Sequence, residues 1–441
     1  MTYLHESENA PSKGAGRPPA IEPEGPNGLE PPAESLVGPS RASSRGLDWF
    51  VFFLADVQTG FGPFVAVYLT TQKWTQVEIG FVLSISGLVA LLGQMPGGAI
   101  VDWARSERMV AAIAVALIGV SAMAYAAWPI FLVILLAAIL HAGSSCVLGP
   151  AIAAISLGLV GRAGIGHRLG RNARFASLGS GIAAAAMGTA GYLWSSRAVF
   201  LVTVALAVPT LLALWHIRDS EIDPEYAHGA LHEKSTTSRS SSFAMLARNK
   251  PLLLFASVLL LFHLANAAML PLVGSFMTAK SPAWAPALIA ACMVIPQIVV
   301  AAISPWVGAK SHVWGRRPLL LIGVTALVVR GLLFAFVHDP HLLVAVQILD
   351  GVAASIFSVL VPLIVADITF GSGHFNLAQG IVGTGVGIGA SISTVFAGYL
   401  TDQFGSSTAF MALACIAVLA LVVVWFAMPE TRPAEAEVHE I

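Results

Sequence analysis

Charged residues are scarce in this sequence. Asp, Glu, Lys and Arg together make up 11% of its 441 residues, whereas soluble globular domains carry about 25%. The two signs nearly cancel, to a net charge of −1 at pH 7, so nothing suggests the clustered basic surface that nucleic-acid binding requires. Hydrophobic residues make up 56% of the chain, which is the balance of a membrane protein. We therefore expect the lipid bilayer, and no nucleic acid, as a partner.

Cysteines and enzyme motifs are also few. Cys146, Cys292 and Cys415 stand in separate apolar runs, without the spacing of a disulfide framework or a CxxC metal site. The sequence has no GxxxxGK[ST] phosphate loop, which argues against an ATP-driven permease, and no nucleophile and base motif near a membrane face. We therefore predict that the protein is not an enzyme, holds no metal and needs no cofactor.

Long apolar runs, in contrast, are abundant. About 20 apolar residues cross the hydrocarbon core as a helix, and twelve such runs predict an all-α integral membrane protein. The twelve spans are expected near residues 48–70, 77–101, 109–128, 130–156, 172–194, 198–217, 251–277, 284–308, 318–337, 341–366, 376–400 and 408–428.

Polar segments flank and divide the spans. Residues 1–46 hold eight prolines among Glu, Ser and Gly, a composition that cannot bury enough apolar surface to order itself, so we predict a disordered tail. Residues 218–250 form a polar central loop and 429–441 a second tail. The loop separates two predicted six-helix halves, 47–217 and 251–428.

The basic residues of the short loops predict the orientation, because loops rich in Lys and Arg stay in the cytoplasm. One set of loops, besides the central loop, carries Arg105, Arg108, Arg162, Arg168, Arg171, Arg174, Lys310, Arg316 and Arg317. The other set carries only Lys73, Arg197 and Lys280. Both termini and the central loop are therefore expected in the cytoplasm, with the spans in the plasma (bacterial inner) membrane.

The tetrapeptide AGYL occurs at Ala190 to Leu193 and again at Ala397 to Leu400. The copies close predicted spans 5 and 11, which are six spans apart. Pro63 and Pro271 repeat the same offset, as do His141 and Asp350. The sequence therefore predicts a parallel duplication of six spans, an arrangement that places a binding site between the halves near the middle of the bilayer.

Two loops carry a recognisable motif. After span 2 the chain reads GGAIVDWARSER, and after span 8 it reads WVGAKSHVWGRRP. Both resemble the signature loop of the major facilitator superfamily, a glycine, an aspartate four residues on, and then Gly-Arg-Arg. The first copy supplies Gly98, Asp102, Arg105 and Arg108, the two arginines replacing the Gly-Arg-Arg group. The second supplies Gly308, His312, Gly315, Arg316 and Arg317, the histidine replacing the aspartate.

The resemblance implies a twelve-helix transporter in which these loops form a cytoplasmic gate between the halves. An alternative is that their basic residues serve only topology. The resemblance also implies that spans 1, 4, 7 and 10 line a central cavity, and we expect the protein to act as a monomer.

Polar residues inside the spans are candidate site residues, because a charge at the bilayer centre is costly. We predict a substrate cavity formed by Gln58, His141, Ser145, His263, Asn266, Gln347 and Asp350. The histidines could instead be hydrogen-bonded packing residues.

Asp56 and Asp350 are expected to differ. Asp56 has no basic residue at its depth in span 1, and a carboxylate buried without a cation has a raised pKa and can carry a proton. A packing role satisfied by neighbouring polar groups is the alternative. Asp350 lies at the same predicted depth as Arg330. These two are expected to form an intramembrane ion pair, either structural or part of the cavity wall.

The predicted function is secondary active transport of a small solute by alternating access, coupled to protons, with export as one direction. The alternatives are a sodium-coupled or facilitative uptake permease, and a non-transporting sensor or scaffold with the same fold.

Overall fold

The computed structural model describes residues 39–59, 62–229, 245–280 and 284–433, which are almost entirely helical. Spans 1 to 6 are formed by Arg41–Thr59 with Gly62–Thr71, Gln76–Trp103, Glu107–Ala127, the continuous run Phe131–Leu193, and Ala198–Trp215. Spans 7 to 12 are formed by Lys250–Asn266 with Met269–Lys280, Ala285–Trp314, Arg316–Phe336, Pro340–Val346 with Ile348–Ile368, Phe375–Phe404, and Ser406–Phe426.

Ten helical stretches within the described ranges are long and apolar enough to cross a membrane. The number is below twelve because Phe131–Gly191 holds spans 4 and 5 together and because span 1 consists of two shorter helices. The prediction of an all-α membrane protein is confirmed.

Spans 4 and 5 meet at Gly161. The sequence predicted a loop over residues 157–171, but the structure is helical there except at Gly161, whose φ of 60° and ψ of −173° break the helix. Glycine accepts this backbone because it has no Cβ. The helix continues on both sides because Leu157 and Leu169 are apolar and become buried.

Spans 7 and 10 are interrupted at predicted site residues. Span 7 breaks after Asn266, and span 10 breaks at Gln347. Broken helices persist in membranes only where other groups satisfy the freed backbone. In span 7 the Ala268 amide donates to Ser393 Oγ of span 11 at 3.0 Å.

Side-chain caps fix several helix starts. Thr75 and Glu78 form a reciprocal capping box at the start of span 2. Ser106 caps span 3, Asn249 caps span 7 and Asp339 caps span 10. Each cap satisfies amide groups that have no partner within the helix.

Buried apolar residues form two clusters. One lies within residues 47–227. The other lies mainly within residues 246–428. The second cluster also takes in residues of spans 2, 4 and 5, namely Ala99, Ala153, Leu157, Ile165, Leu169 and Ala173. These residues mark where the two halves pack together.

The predicted tails and loop need correction where the structure describes them. Span 1 begins at Arg41, so residues 41–46 are helical rather than part of a disordered tail. Ser43 is fully buried there, and the Ser40 amide donates to Glu221 at 2.9 Å. The central loop contains a short helix, Pro224–His228. Residues 1–38, 230–244 and 434–441 lie outside the described residues.

The second AGYL copy does not end its helix. Span 11 continues for another turn, to Phe404, before Gly405 adopts a φ of 86°. The first copy does end span 5, at Leu193.

Candidate functional site

The segments around the chain ends gather at one end of the bundle. Before span 1, the Ser40 amide binds Glu221 of the central loop. After span 12, Glu430 accepts from the Arg316 amide at 2.8 Å, at the junction of spans 8 and 9. We call this end the terminal side and the other the opposite side.

Asp102 joins the two halves on the terminal side. It lies at the end of span 2, and its side chain accepts three hydrogen bonds from the start of span 11. The Asn376 side chain donates at 2.8 Å and the Asn376 amide at 3.1 Å, both to Oδ1. The Leu377 amide donates to Oδ2 at 2.7 Å. Asp102 therefore satisfies the free amides of the other half's helix and complements its positive end.

Glycines allow spans 2 and 11 to touch beside this latch. A Cβ atom on Gly98 would collide with the Asn376 carbonyl, and one on Gly380 would collide with the Gln94 backbone. Gly98 of the signature loop is thus required by close backbone approach, as Gly is elsewhere.

Spans 5 and 8 form an equivalent seam. Gly166 and Gly308 face each other so closely that a Cβ atom on either would meet the other's backbone. The His312 ring also lies against Gly166, and Gly170 lies against the Ser304 carbonyl. Gly308 and His312 of the second signature loop therefore lie between the halves.

The arginines of the first signature loop lie away from the seam. Arg105 is exposed in the turn between spans 2 and 3. Arg108 donates to the Ile217 carbonyl at 2.6 Å and lies 3.4 Å from Asp219. Arg108 therefore holds the central loop to its own half.

The Gly-Arg-Arg group of the second loop binds its own half. Gly315 has a φ of 90°, and the amides of Arg316 and Arg317 both donate to Glu430 after span 12. The Arg316 side chain pairs with Asp367 of span 10 at 2.9 Å, both side chains being buried.

Arg162 and Asp367 are a second link between the halves, one that the sequence analysis did not assign. Arg162 Nη2 lies 3.9 Å from Asp367 Oδ1, and the guanidinium lies 3.6 Å from the centre of the Phe370 ring. Asp367, a carboxylate at the terminal end of an apolar span, was the signal available in the sequence.

The short helix of the central loop packs beside the Asp102 latch. Asp223 caps this helix, the Ala227 carbonyl accepts from the Asn376 side chain at 3.2 Å, and His228 Nε2 lies 2.8 Å from Glu107 Oε1. Burial acts to lower the pKa of His228, but the hydrogen bond to Glu107 and the charges of Glu107 and Asp102 raise it above its ordinary value. The loop is therefore part of the gate region.

The polar residues of the first half meet between spans 1 and 4. Gln58 Nε2 donates to the Ser145 carbonyl at 2.9 Å. His141, one turn before Ser145, also interacts with Gln58. Asp56 lies in the helix of span 1, and its side chain is outside the described part of the structure.

The second half contains a buried polar cluster. Arg330 is 1% exposed and donates from Nη1 to Asp350 at 2.5 Å and to Asn266 at 2.6 Å. These residues come from spans 9, 10 and 7. Gln347 is fully buried beside Cys292 of span 8. The Asp350 side chain is 25% exposed, so the cluster opens toward the bundle interior at Asp350.

His263 lies apart from the hydrogen bonds of this cluster. Its ring is 5.3 Å from that of Phe262 in an edge-on contact. Within the described ranges, no group of three or more His, Cys, Asp or Glu side chains is placed to hold a metal.

Both seams open toward the opposite side. From residue 81 to residue 96 of span 2, Val82 is the one buried residue. Lipid can cover only one side of a helix, so exposure on all sides requires open space between the halves. Side chains built at Gly80, Gly87 and Gly398 would meet no atom within 4 Å. The bundle is therefore closed on the terminal side and open on the opposite side.

Comparisons with known sequences identify the family. The sequence profile of the Major Facilitator Superfamily matches residues 49–308 and 256–440. An uncharacterized MFS-type transporter of Mycobacterium tuberculosis (strain H37Rv) is 37% identical over 401 residues, which cover 90% of this chain and 95% of the relative. One of Bacillus subtilis (strain 168) is 29% identical over 126 residues, 28% of this chain and 31% of the relative.

Solved structures share the fold. The fucose:proton symporter FucP of E. coli superimposes with a TM-score of 0.71 at 16% identity, covering 87% of this chain and 99% of the other. The human organic anion transporter MFSD10 gives a TM-score of 0.67 at 15% identity, covering 87% and 98%. The chain therefore belongs to the major facilitator superfamily, whose members are transporters rather than enzymes, and is a multi-pass membrane transporter of small solutes.

Proposed function

We propose that the protein is a secondary active transporter that works by alternating access and is driven by a proton gradient. The observation that supports this most is the distribution of seam contacts. Spans 2 and 11, and spans 5 and 8, touch through glycines on the terminal side and separate toward the opposite side. A rocking movement of the halves would reverse this pattern.

The terminal side is proposed to be cytoplasmic. It carries most of the loop arginines, which favours the cytoplasm by the positive-inside rule. On this assignment the structure is the outward-open state, in which Asp102 acts as the latch of the cytoplasmic gate. Arg162 and Asp367 join that gate in addition to the residues of the signature loops.

The substrate cavity is proposed to lie between two polar groups. Gln58, His141 and Ser145 form the wall of the first half. In the second half, Asp350 is the partly exposed member of the buried cluster, and Asn266 and Arg330 hold it in place. His263 is proposed to contact substrate without belonging to the hydrogen-bonded cluster.

Asp56 is proposed to carry the coupling proton. Asp350 is held by Arg330 and so stays ionised, which leaves Asp56 as the span carboxylate proposed to change its protonation. The fold of the fucose:proton symporter is compatible with proton coupling but does not establish it. Export is the proposed direction, and sodium coupling, facilitated uptake and a sensor role are the alternatives.

A transport assay tests the coupling. Purified protein is reconstituted into liposomes that contain a pH-sensitive dye, and a panel of solutes is added with and without an imposed pH gradient. A transported solute should move protons in the wild type. Asp56→Asn should abolish this proton movement yet retain solute counterflow, because Asn mimics the protonated acid. Asp402→Asn, an exposed change on the opposite side, is the matched control.

Three outcomes would contradict the proposal. A full response of Asp56→Asn to the pH gradient would remove Asp56 from the coupling. Solute movement that responds to sodium but not to pH would replace the coupling ion. Spin labels at Leu83 and Val395, both exposed on the opposite side, should show two distance populations; a single fixed distance would favour the sensor alternative.

A further inference from the structure

A basic cavity opens on the terminal side where span 5 meets span 8. Its volume is about 560 Å³. The side chains that matter in its wall are His167, Arg168, Arg171, Arg174, Phe175 and Pro305. Among the described residues that line the cavity, none is acidic. The cavity is distinct from the proposed substrate cavity, which lies between the halves and opens on the other side.

The arginines of this cavity exceed the charge that neutralises them. Arg168 and Arg171 share one carboxylate, Asp48, and each lies 2.5 Å from one of its oxygens. Arg174 donates to a neutral acceptor, the Ala301 carbonyl of span 8, at 2.9 Å. Three guanidinium groups against this one carboxylate leave two positive charges. Arg171 is 54% exposed, so its free edge can reach a ligand.

Exposed tryptophans place this cavity at the level of the lipid headgroups. Trp49 is 48% exposed, and its ring lies 6.1 Å from that of Phe175 in the cavity wall. On span 8, Trp306 and Trp314 are 44% and 45% exposed, and Lys310 Nζ lies 5.7 Å from the Trp314 ring. Tryptophan prefers the membrane interface, where its ring meets lipid and its N–H meets water.

We propose that this cavity binds the phosphate of an anionic phospholipid headgroup. Arginine pairs with phosphate through two parallel N–H bonds, and basic pockets between membrane helices take up anionic headgroups. The tryptophans favour a lipid over a free phosphate ion, because they would contact the acyl chains next to the headgroup. Arg174 already touches span 8, so a phosphate bound there would bridge spans 5 and 8 and stabilise closure of the terminal side.

The test measures the melting temperature of the purified full-length protein in detergent. Phosphatidylglycerol, phosphatidylcholine or sodium phosphate is added in separate titrations. Phosphatidylglycerol should raise the melting temperature of the wild type by roughly 3 °C or more beyond phosphatidylcholine. Arg171→Gln with Arg174→Gln should lose this difference, and the corresponding pair of Lys substitutions should keep most of it. Arg197→Gln, an exposed arginine on the opposite side, should respond as the wild type does.

The outcomes separate the lipid from other anions. Equal effects of the two lipids on the wild type, or an undiminished response of the Gln double variant, would overturn the proposal. Sodium phosphate that reproduces the whole effect would overturn the assignment to a lipid. If the Gln variant does not fold, competition between the two lipids for wild-type protein in native mass spectrometry decides, and equal retention of both would refute the site.

Discussion

The buried pair of Arg330 and Asp350 gives a prediction with a defined order of effects. Arg330 is 1% exposed, whereas the Asp350 side chain is 25% exposed. Asp350→Asn leaves the buried guanidinium with Asn266 as its remaining polar partner among those assigned here. Arg330→Met leaves a carboxylate that water can reach. Asp350→Asn should therefore destabilise the protein more than Arg330→Met, and the double variant should be less damaged than either.

The magnitude follows from the stranded charge. Removing one partner of a buried ion pair costs about 3–5 kcal/mol, and we place Asp350→Asn at the upper end and Arg330→Met at the lower. A chain of this size loses about 2 °C in melting temperature per kcal/mol. The expected losses are about 10 °C for Asp350→Asn and about 6 °C for Arg330→Met. Since Met fills most of the volume of Arg without its charge, the double variant should lose only about 2–4 °C.

The assay is thermal unfolding of detergent-purified variants, read by size-exclusion chromatography after heating. Arg197→Met and Asp402→Asn, both exposed on the opposite side, control for loss of an arginine or an aspartate as such. A double variant whose loss equals the sum of the two single losses would refute the reasoning, because independent sites add and a coupled pair does not.

Three further predictions concern the terminal side. Deleting residues 1–38 should leave the amount of protein in the membrane unchanged, whereas deleting 1–46 should lower it by removing the first turn of span 1; equal amounts would contradict this. Gly380→Leu should prevent closure of the seam with span 2, and an unaltered spin-label distance there would refute it. The raised pKa of His228 predicts that its contact with Glu107 stabilises the closed gate below the ordinary histidine pKa near 6.5 and is lost as the pH rises through the raised value. The closed population should fall between about pH 6 and pH 8 in the wild type but not in His228→Gln, and a flat wild-type profile would count against it.

The sequence predicted those features that are written locally. Spans, their number and the duplication follow from apolar runs and repeated words, and each is legible within about 20 residues. Equal depth in spans 9 and 10 was sufficient to match Arg330 with Asp350, because helical rise converts residue count into depth. Neighbouring spans in a bundle then leave few choices of partner.

The gate contacts were not predictable in the same way. The partners of Asp102 are 274 and 275 residues away, and two of its three donors are backbone amides, which leave no mark on the sequence. The helical start of span 1 was missed because proline-rich composition was extended to Arg41, although Asp48 needs that helix to reach Arg168 and Arg171. Likewise, the arginines after span 4 suggested a loop although the apolar residues between them are buried.

The chemistry of the Asp102 latch suits a gate that must open repeatedly. Its donors are two amides and one carboxamide, not a cation. When the halves part, water can replace each of these bonds, so the net loss is about 0.5–1.5 kcal/mol per bond, or about 2–4 kcal/mol for three. A free-energy difference of that size favours one state while keeping the other populated. A fully buried ion pair at the same place would strand a charge on opening and cost about 3–5 kcal/mol for that charge alone. The ion pairs with Arg316 and Arg330 lie instead within the second half, where rocking of the two halves as rigid bodies leaves them intact.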